Sequence, residues 1–423
     1  MTIIIICFLI SFFGVVKEKN IFNPLAVFYT IWGVALLGAR MKLFGMNGVS
    51  NHTYNIISLG LVMFFLSYVI IDVFMMKNIK LVMHTKKQTT NILKFKINYK
   101  YLYLFLALSF LFFGSSAIKA IQLLLQGNSF HMIRLLSNDE LLAGSPIIRT
   151  LRAYLFVPGL SILIVISAID LVVGGKNKYL FISTFIVSLL QTLSTGGRIT
   201  FLNFAFYIIL SQTIFKKKIN ISKKTKNKIR ISTLIVIAIF IFISRSRGIS
   251  SLASSLYFYL SGAIPHLDYR IQIIDYTSHF SYGYASLNGL FTSFYFILKN
   301  IGIMDYPDLF QETLIYMDVE NFVSIGQNVD FNAFVTPFFY FYLDARLLGV
   351  ILGSISYGII ASLSYNTMRR SFTMRNVMIY MIIIQGLATS IIRFQFVDMA
   401  YFLSLVYILF LYRKRRIRFK LTK

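Results

Sequence analysis

Three stretches of this chain put residues capable of chemistry at suggestive spacing. The first, "LQTLSTGGRITF" at 190–201, sets Arg198 behind Gly196 and Gly197, between two apolar runs. Glycines let backbone N–H groups approach a ligand closely, and a helix start favours an anion. Hydroxyls, two glycines and an arginine opening a helix therefore read as a phosphate cradle. The second, "SRSRG" at 244–248, holds Arg245 and Arg247, which project to one side if the segment is extended and nearly opposite if it is helical. The third is "SGAIPHLDYRIQIIDY" at 261–276. Pro265 fits the first turn of a helix, which would place His266 and Arg270 on one face and Asp268, Gln272 and Asp275 on another. A plain amphipathic surface helix is the simpler reading of the same pattern.

Composition says what must position these residues. The chain has 423 residues, 57% hydrophobic and 13% charged, with a mean hydropathy of +0.72. Apolar runs of about 16–25 residues recur throughout, as in a polytopic helical membrane protein. A membrane β-barrel is excluded, since its strands would alternate. The expected fold is all-α, with about 11 transmembrane helices (10–13 allowed) in a single membrane domain, 1–423. The spans fall near 2–16, 22–39, 54–76, 101–118, 147–170, 179–194, 199–215, 231–244, 347–366, 377–392 and 395–412. Segment 2–16 lacks a basic n-region and a cleavage motif, so it reads as a retained helix. The single cysteine, Cys7, rules out an intrachain disulfide.

The net charge of +27 raises the question of nucleic acid. Its distribution argues against that partner: 29 of the 42 Lys+Arg lie in short loops and termini that eleven spans place on one side. By the positive-inside rule that side is cytoplasmic, with the N-terminus outside and the C-terminus inside. The run "KKKINISKKTKNKIR" (216–230) then faces anionic lipid.

One loop stands apart. Residues 245–346, on the expected outer face, hold nine of the fifteen acids against five bases. Loops that long in a compact protein are usually functional. The apolar stretch "GLFTSFYFILKNIGI" (289–303) argues that the loop lies on the membrane surface; a re-entrant or extra spanning pair is the alternative. Arg198, Arg245, Arg247, Arg270, Arg346 and Arg393 all fall at or near this face, against the positive-inside bias. Arginine favours bidentate contact with carboxylate or phosphate oxygens. The bland account is snorkelling helix ends, or partners for the loop acids.

At "STGGRITFL" (194–202), "YLSGAIPHLD" (259–268) and "FNAFVTPFFYFYLDARLLGVILGSISYG" (331–358), the chain resembles the Wzy-type polymerases of O-antigen and capsule synthesis. Asn332, Thr336, Asp344 and Gly349 stand where that family shows an asparagine, a threonine, an aspartate and a glycine-rich outgoing helix. "DARLLG" departs from the family's Phe-Gly after the aspartate. The resemblance implies an architecture like the lipid-linked-sugar glycosyltransferases of GT-C type in the bacterial cytoplasmic membrane. It implies polyprenyl-diphosphate-linked oligosaccharides as donor and acceptor, with membrane lipids, a chain-length regulator and a flippase as further partners. Neither a cofactor nor a metal is expected. Arg198, Arg245, Arg247, Arg270, Gly196, Gly197 and Asn332 would then bind substrate. Arginines can stabilise a departing diphosphate without metal. The acceptor hydroxyl needs a base, for which Asp268, Asp344, His266 and His279 are candidates, the aspartates first. "DVE" (318–320) could mimic a metal-binding pair, although a solvated loop is the commoner explanation. An O-antigen ligase and a flippase of lipid-linked oligosaccharide are the competing readings. The flippase is disfavoured because no ionisable residue sits at the centre of a clear span. A scaffold or chain-length regulator would not need the arginines.

Overall fold

A computed structural model describes residues 1–83, 98–128, 145–173, 178–197, 199–216, 252–318, 323–327, 329–331 and 335–412, with a few isolated positions between 129 and 251. The protein is mostly helical, and five of its described helices are long and apolar enough to cross a membrane. Large apolar side chains stay exposed along the outer surfaces of these helices, among them Ile70 and Leu111. In a chain this apolar, such surfaces are suited to lipid.

The chain divides into two compact units. One comprises Met1–Thr90 and Ser251–Leu405, the other Asn91–Ser250 and Val406–Lys423. In the first, helices α1 (Thr2–Glu18), α2 (Pro24–Met41) and α3 (Asn51–Met83) match the first three expected spans. Asn23 caps α2 by accepting from Ala26 N–H at 2.8 Å, with Pro24 at the first helical position. At the Met83 end of α3, the buried Asp72 carboxylate pairs with Lys17 and accepts from Asn366 at 2.9 Å. Arg369 pairs with Glu18 at 2.7 Å beside it.

The second unit contains α4 (Tyr99–Leu125), α5 (Pro146–Val172), α6 (Lys178–Thr195) and α7 (Ile199–Lys216). A π-turn at Arg152–Phe156 precedes Pro158 in α5, the usual way a helix absorbs a residue that cannot donate its N–H. The Tyr99 hydroxyl donates to buried Asp170 at 2.7 Å. The expected span at 231–244 lies almost wholly outside the described residues.

The loop of the first unit is itself structured. It forms α8 (Leu252–Ser261), α9 (Ala263–Asp275), α10 (Asn288–Asn300), α11 (Asp308–Met317) and a small antiparallel pair, β1 (Val323–Gly326) and β2 (Val329–Phe331). α8 lies against α2, where the Tyr257 hydroxyl donates to the Gly38 carbonyl at 2.7 Å. The pair is tied to the α2–α3 connection by Asn47 N–H donating to Ile325 O at 2.7 Å.

Helix α12 (Pro337–Arg370) is not straight. Ala345 and Arg346 leave the helical region, Arg346 at φ +52°, and the chain doubles back there. A β-carbon placed on Gly349 would collide with the Phe341 carbonyl oxygen, eight residues earlier. In a straight helix those positions would stand about 12 Å apart. The first limb, Pro337–Asp344, is buried throughout. Its Phe338 ring rests on Trp32, midway along α2, at 4.7 Å between centroids, and against Gly60 of α3. The second limb, 347–370, coincides with the expected span at 347–366 and crosses α3 closely, with Gly358 facing the Phe64 carbonyl.

The last two expected spans differ as well. In place of 377–392 and 395–412 stand two shorter helices, α13 (Met374–Ala388) and α14 (Met399–Leu411). At 1.5 Å per residue they are about 20–23 Å long, against roughly 30 Å of bilayer core. The joint between them reaches the middle of α2, where Trp32 Nε1 donates to Ser390 Oγ at 3.1 Å.

Candidate functional site

Helix α9 gathers three of the sequence-chosen residues, with the face pairings expected of i and i+4. Arg270 Nε donates to His266 Nε2 at 3.1 Å, and Gln272 Nε2 reaches toward Asp268 Oδ2 at 3.5 Å. Since arginine can only donate, His266 Nε2 accepts, and the fully buried imidazole is held neutral with its proton on Nδ1. Arg270 also donates from Nη1 to the Asp318 carbonyl at 3.1 Å, while Nη2 is buried with no hydrogen-bond partner. Burial pulls this guanidinium below its ordinary pKa, against the opposing charge of nearby Asp318.

Asp268 joins α9 to the start of α3. Its Oδ1 accepts from Ser50 Oγ at 2.5 Å, Thr53 Oγ1 at 2.6 Å and Ser50 N–H at 3.3 Å. This places a carboxylate at a helix N-terminus, where the dipole favours it. The signal was in the sequence: "SNHT" (50–53) is a capping pattern ahead of an apolar run, but nothing local says that Asp268 completes it. Among the described residues its Oδ2 keeps only the long Gln272 contact.

Asp344 is engaged differently. Oδ1 accepts from Ser281 Oγ at 2.6 Å, Gly283 N–H at 2.9 Å and Ala285 N–H at 3.1 Å; Oδ2 accepts from Ser286 N–H at 3.2 Å. Oδ1 is crowded with three donors and Oδ2 takes one, all four from the segment 281–286. Asp344 thus shapes the turn 281–286, in which Tyr282 and Gly283 both take positive φ, ahead of α10. Next to it, Arg346 Nη2 donates to the carbonyls of Ile274 and Thr277 at 2.8 Å each, and its guanidinium lies over the Phe280 ring at 4.8 Å. These contacts hold the left-handed residue at the fold-back. The Tyr342 hydroxyl donates to Asp275 at 2.6 Å, with His52 at 3.5 Å from the same carboxylate. His279 sits apart between Glu312 and Thr313, stacked on Tyr316.

Arg393 lies in the joint between α13 and α14, where Ser390 accepts from Trp32 of α2. Its backbone bridges Val335, three residues beyond Ser390. Nη1 pairs with Asp398 at 3.2 Å, and half the side chain is exposed. Arg393 and Arg270 both act electrostatically on Tyr340 of the buried limb.

The glycine hairpin belongs to the second unit. α6 ends at Thr195 and α7 begins at Ile199, so the turn is as tight as its sequence demands, with Gly196 at φ +61°. Its hydroxyls are turned inward: Ser194 and Thr195 both donate to the Gln191 carbonyl at 2.9 Å, and Gly197 N–H donates to Thr195 Oγ1 at 3.2 Å. That local pairing leaves fewer donors for an anion than the pattern suggested. Arg198, Arg245, Arg247 and Asn332 lie outside the described residues, as does Glu320 of "DVE". Among the described residues no cluster of three or more metal-binding side chains occurs.

No family model matches the chain, and no curated protein or solved structure matches it at a significant level.

Proposed function

We propose that this protein is a glycosyltransferase that joins polyprenyl-diphosphate-linked oligosaccharide repeat units into O-antigen or capsular polysaccharide. It would act from the outer face of the bacterial cytoplasmic membrane, in the manner of GT-C-type enzymes. The observation that supports the reading is helix α9, which carries a carboxylate, Asp268, with one oxygen making only a long contact among the described residues, and on another face a partly buried guanidinium, Arg270, with an unpaired edge. A transfer between lipid-linked sugars asks for both groups.

In this reading Asp268 Oδ2 takes the proton from the acceptor sugar hydroxyl. The hydroxyl oxygen forms the new bond to the donor's anomeric carbon as the bond from that carbon to the diphosphate oxygen breaks. The departing diphosphate carries the negative charge, which Arg270 meets. Donors fixed in advance at the site of developing charge contribute on the order of 3–4 kcal/mol each. Asp344, whose four donors all come from the turn 281–286 that it shapes, acts as a positioning residue. His266, neutral and accepting from Arg270, orients the guanidinium.

The test is the glycan profile of a deletion strain, followed by assembly from purified lipid-linked repeat units. Loss of a polymerase leaves single repeat units on the final acceptor, whereas loss of a ligase or a flippase leaves none. A profile without single units would exclude the polymerase reading.

A further inference from the structure

The corner between α9 and α10 displays an aromatic ring at a conformational cost. Tyr282 takes φ +47°, a region that bulky side chains rarely occupy, and Gly283 follows at φ +98°. The turn is pinned to the end of the buried limb: Ser281 N–H donates to Leu343 O and Tyr282 N–H to Asp344 O, both at 3.1 Å. The Asp344 carboxylate takes four further donors from it. A glycine at 282 would adopt the same backbone without strain. Nor does the tyrosine offset its strain by packing into the core, since it is 74% exposed. Strain of this kind gathers at ligand clamps and other functional sites, so the ring itself asks for an explanation.

Tyr282 is one end of a continuous strip of contacts. Its ring lies beside Phe280, with centroids 6.0 Å apart and planes tilted by 32°. Arg346 lies over Phe280 at 4.8 Å and over Tyr342 at 5.6 Å. The Tyr342 hydroxyl reaches Asp275, and the His52 ring meets Tyr342 edge-on at 6.3 Å. Asp275 and His52 keep side chains 39% and 51% exposed, with a distance of 3.5 Å between them. Next to Asp275, Tyr276 is almost fully exposed. On α9, Asp275 shares a face with Gln272 and with Asp268, seven residues and about 10 Å back. Polar groups open to solvent therefore lead from Asp268 to ring faces at Tyr282. A surface sunk among acyl chains would not keep an exposed carboxylate beside an imidazole, because charge there is costly.

We propose that this strip, from Asp268 through Asp275 and His52 to Tyr282, binds an oligosaccharide. A pyranose has a face of C–H groups that packs on the negative face of an aromatic ring, and a rim of hydroxyls that carboxylate, amide and imidazole groups bond. The strip offers both in alternation. It suits several sugars in line more than a single one, since the Asp268–Asp275 face alone spans about 10 Å. Naming the ligand rests on the proposed glycosyl transfer, whereas the surface rests on the geometry. In that reaction the strip would hold the acceptor's sugars beyond the one whose hydroxyl reacts at Asp268. Tyr282 would then help decide which repeat unit is accepted.

The experiment is direct binding to the purified full-length protein in nanodiscs. The probes are short free oligosaccharides released from the surface polysaccharide of a strain that carries the chain, without lipid or phosphate. Calorimetry and saturation-transfer NMR read the binding. Tyr282→Ala should weaken it about tenfold, while Tyr282→Phe, which keeps the ring, should bind much as the wild type does. Tyr282→Gly removes ring and strain together, so the ligand-free protein should unfold at about the same temperature while binding falls as in the alanine variant. A merely structural tyrosine would not separate the two. Phe294→Ala, half exposed on α10, should leave binding unchanged. If no oligosaccharide binds, if Tyr282→Gly binds as tightly as wild type, or if Phe294→Ala weakens binding equally, the proposal is overturned. Should Tyr282→Ala fail to fold, the glycine variant alone decides. Tyr282-dependent binding in a protein whose deletion leaves polymer intact would sink the glycosyltransferase reading and keep this surface. Polymer lost on deletion, with binding indifferent to Tyr282, would do the reverse.

Discussion

Asp268 is a staple in the structure and a base in the proposed function, and Asp268→Asn distinguishes the two. As a staple, its Oδ1 takes three donors from Ser50 and Thr53 at the start of α3. An asparagine oxygen can keep all three, now as a neutral acceptor. Hydrogen bonds to a charged group contribute about 1.5–3 kcal/mol and neutral ones about 0.5–1.5, so the loss is on the order of 1 kcal/mol per hydroxyl. The α3 dipole adds roughly 0.3–1 kcal/mol. The amide should therefore lower stability by about 2–3 kcal/mol and keep the fold. As a base, Oδ2 cannot be replaced by an NH2 group, and loss of proton transfer costs about 10²–10⁴ in rate. Asp268→Ala would remove the staple too, leaving Thr53, fully buried, without its acceptor; it should cost stability beyond Asn by a further 1–3 kcal/mol. The assays are denaturation in detergent and polymer formation from purified lipid-linked repeat units. A folded Asp268→Asn protein that polymerises at the wild-type rate would refute the base and leave only the staple.

Three further outcomes are expected. Gly349→Ala sets a methyl group against the Phe341 carbonyl, a backbone atom that cannot step aside, so it should destabilise by at least about 1–3 kcal/mol and open the fold-back; an unchanged unfolding temperature would contradict the doubled-back limb. Burial holds His279 below its ordinary pKa, with Glu312 opposing and the charge of Arg346 adding to the effect. The unfolded chain then takes up the proton first, so this contribution is complete above about pH 6.5 and is lost as the pH falls below it; His279→Gln should flatten the decline in unfolding temperature between pH 7.5 and 5.5, and an unaltered decline would assign it elsewhere. A cysteine at Asp308, in a Cys7→Ser background, should react with an impermeant maleimide in intact cells; labelling only after lysis would reverse the proposed orientation.

Much of the first unit was legible because its signals are local. The span starts expected near 22 and 54 from hydropathy fall within three residues of helix starts at Pro24 and Asn51, and the pairings His266–Arg270 and Asp268–Gln272 follow from helical periodicity. What escaped depends on contacts across the chain. Asp268 finds Ser50 and Thr53 more than 200 residues away. The run "PFFYFYL" (337–343) is as apolar as the span that follows, and the break at Ala345–Arg346 has neither glycine nor proline to announce it. That break is held by Arg346 reaching two carbonyls of the 274–277 corner, an arrangement no periodicity reports. Likewise the apolar content of 377–412 does not mark where its turn falls.

The position of that turn matters for the chemistry. Irregular backbone at membrane depth is tolerated only where protein or a water-filled cavity surrounds it, because lipid cannot satisfy its polar groups. The joint between α13 and α14 meets this condition from within. Ile392 and Arg393 N–H both donate to Thr389 O at 2.9 Å, Asp398 N–H donates to Gln395 O at 3.0 Å, and Gln395 Nε2 donates to Thr389 Oγ1 at 3.0 Å. Asp398 caps α14, its Oδ1 accepting from Ala400 N–H at 2.8 Å and Tyr401 N–H at 3.1 Å. Arg393 pairs with this cap, and an exposed ion pair contributes only about 0–1 kcal/mol. Local hydrogen bonds and the cap on α14, more than the ion pair, therefore hold the joint between α13 and α14.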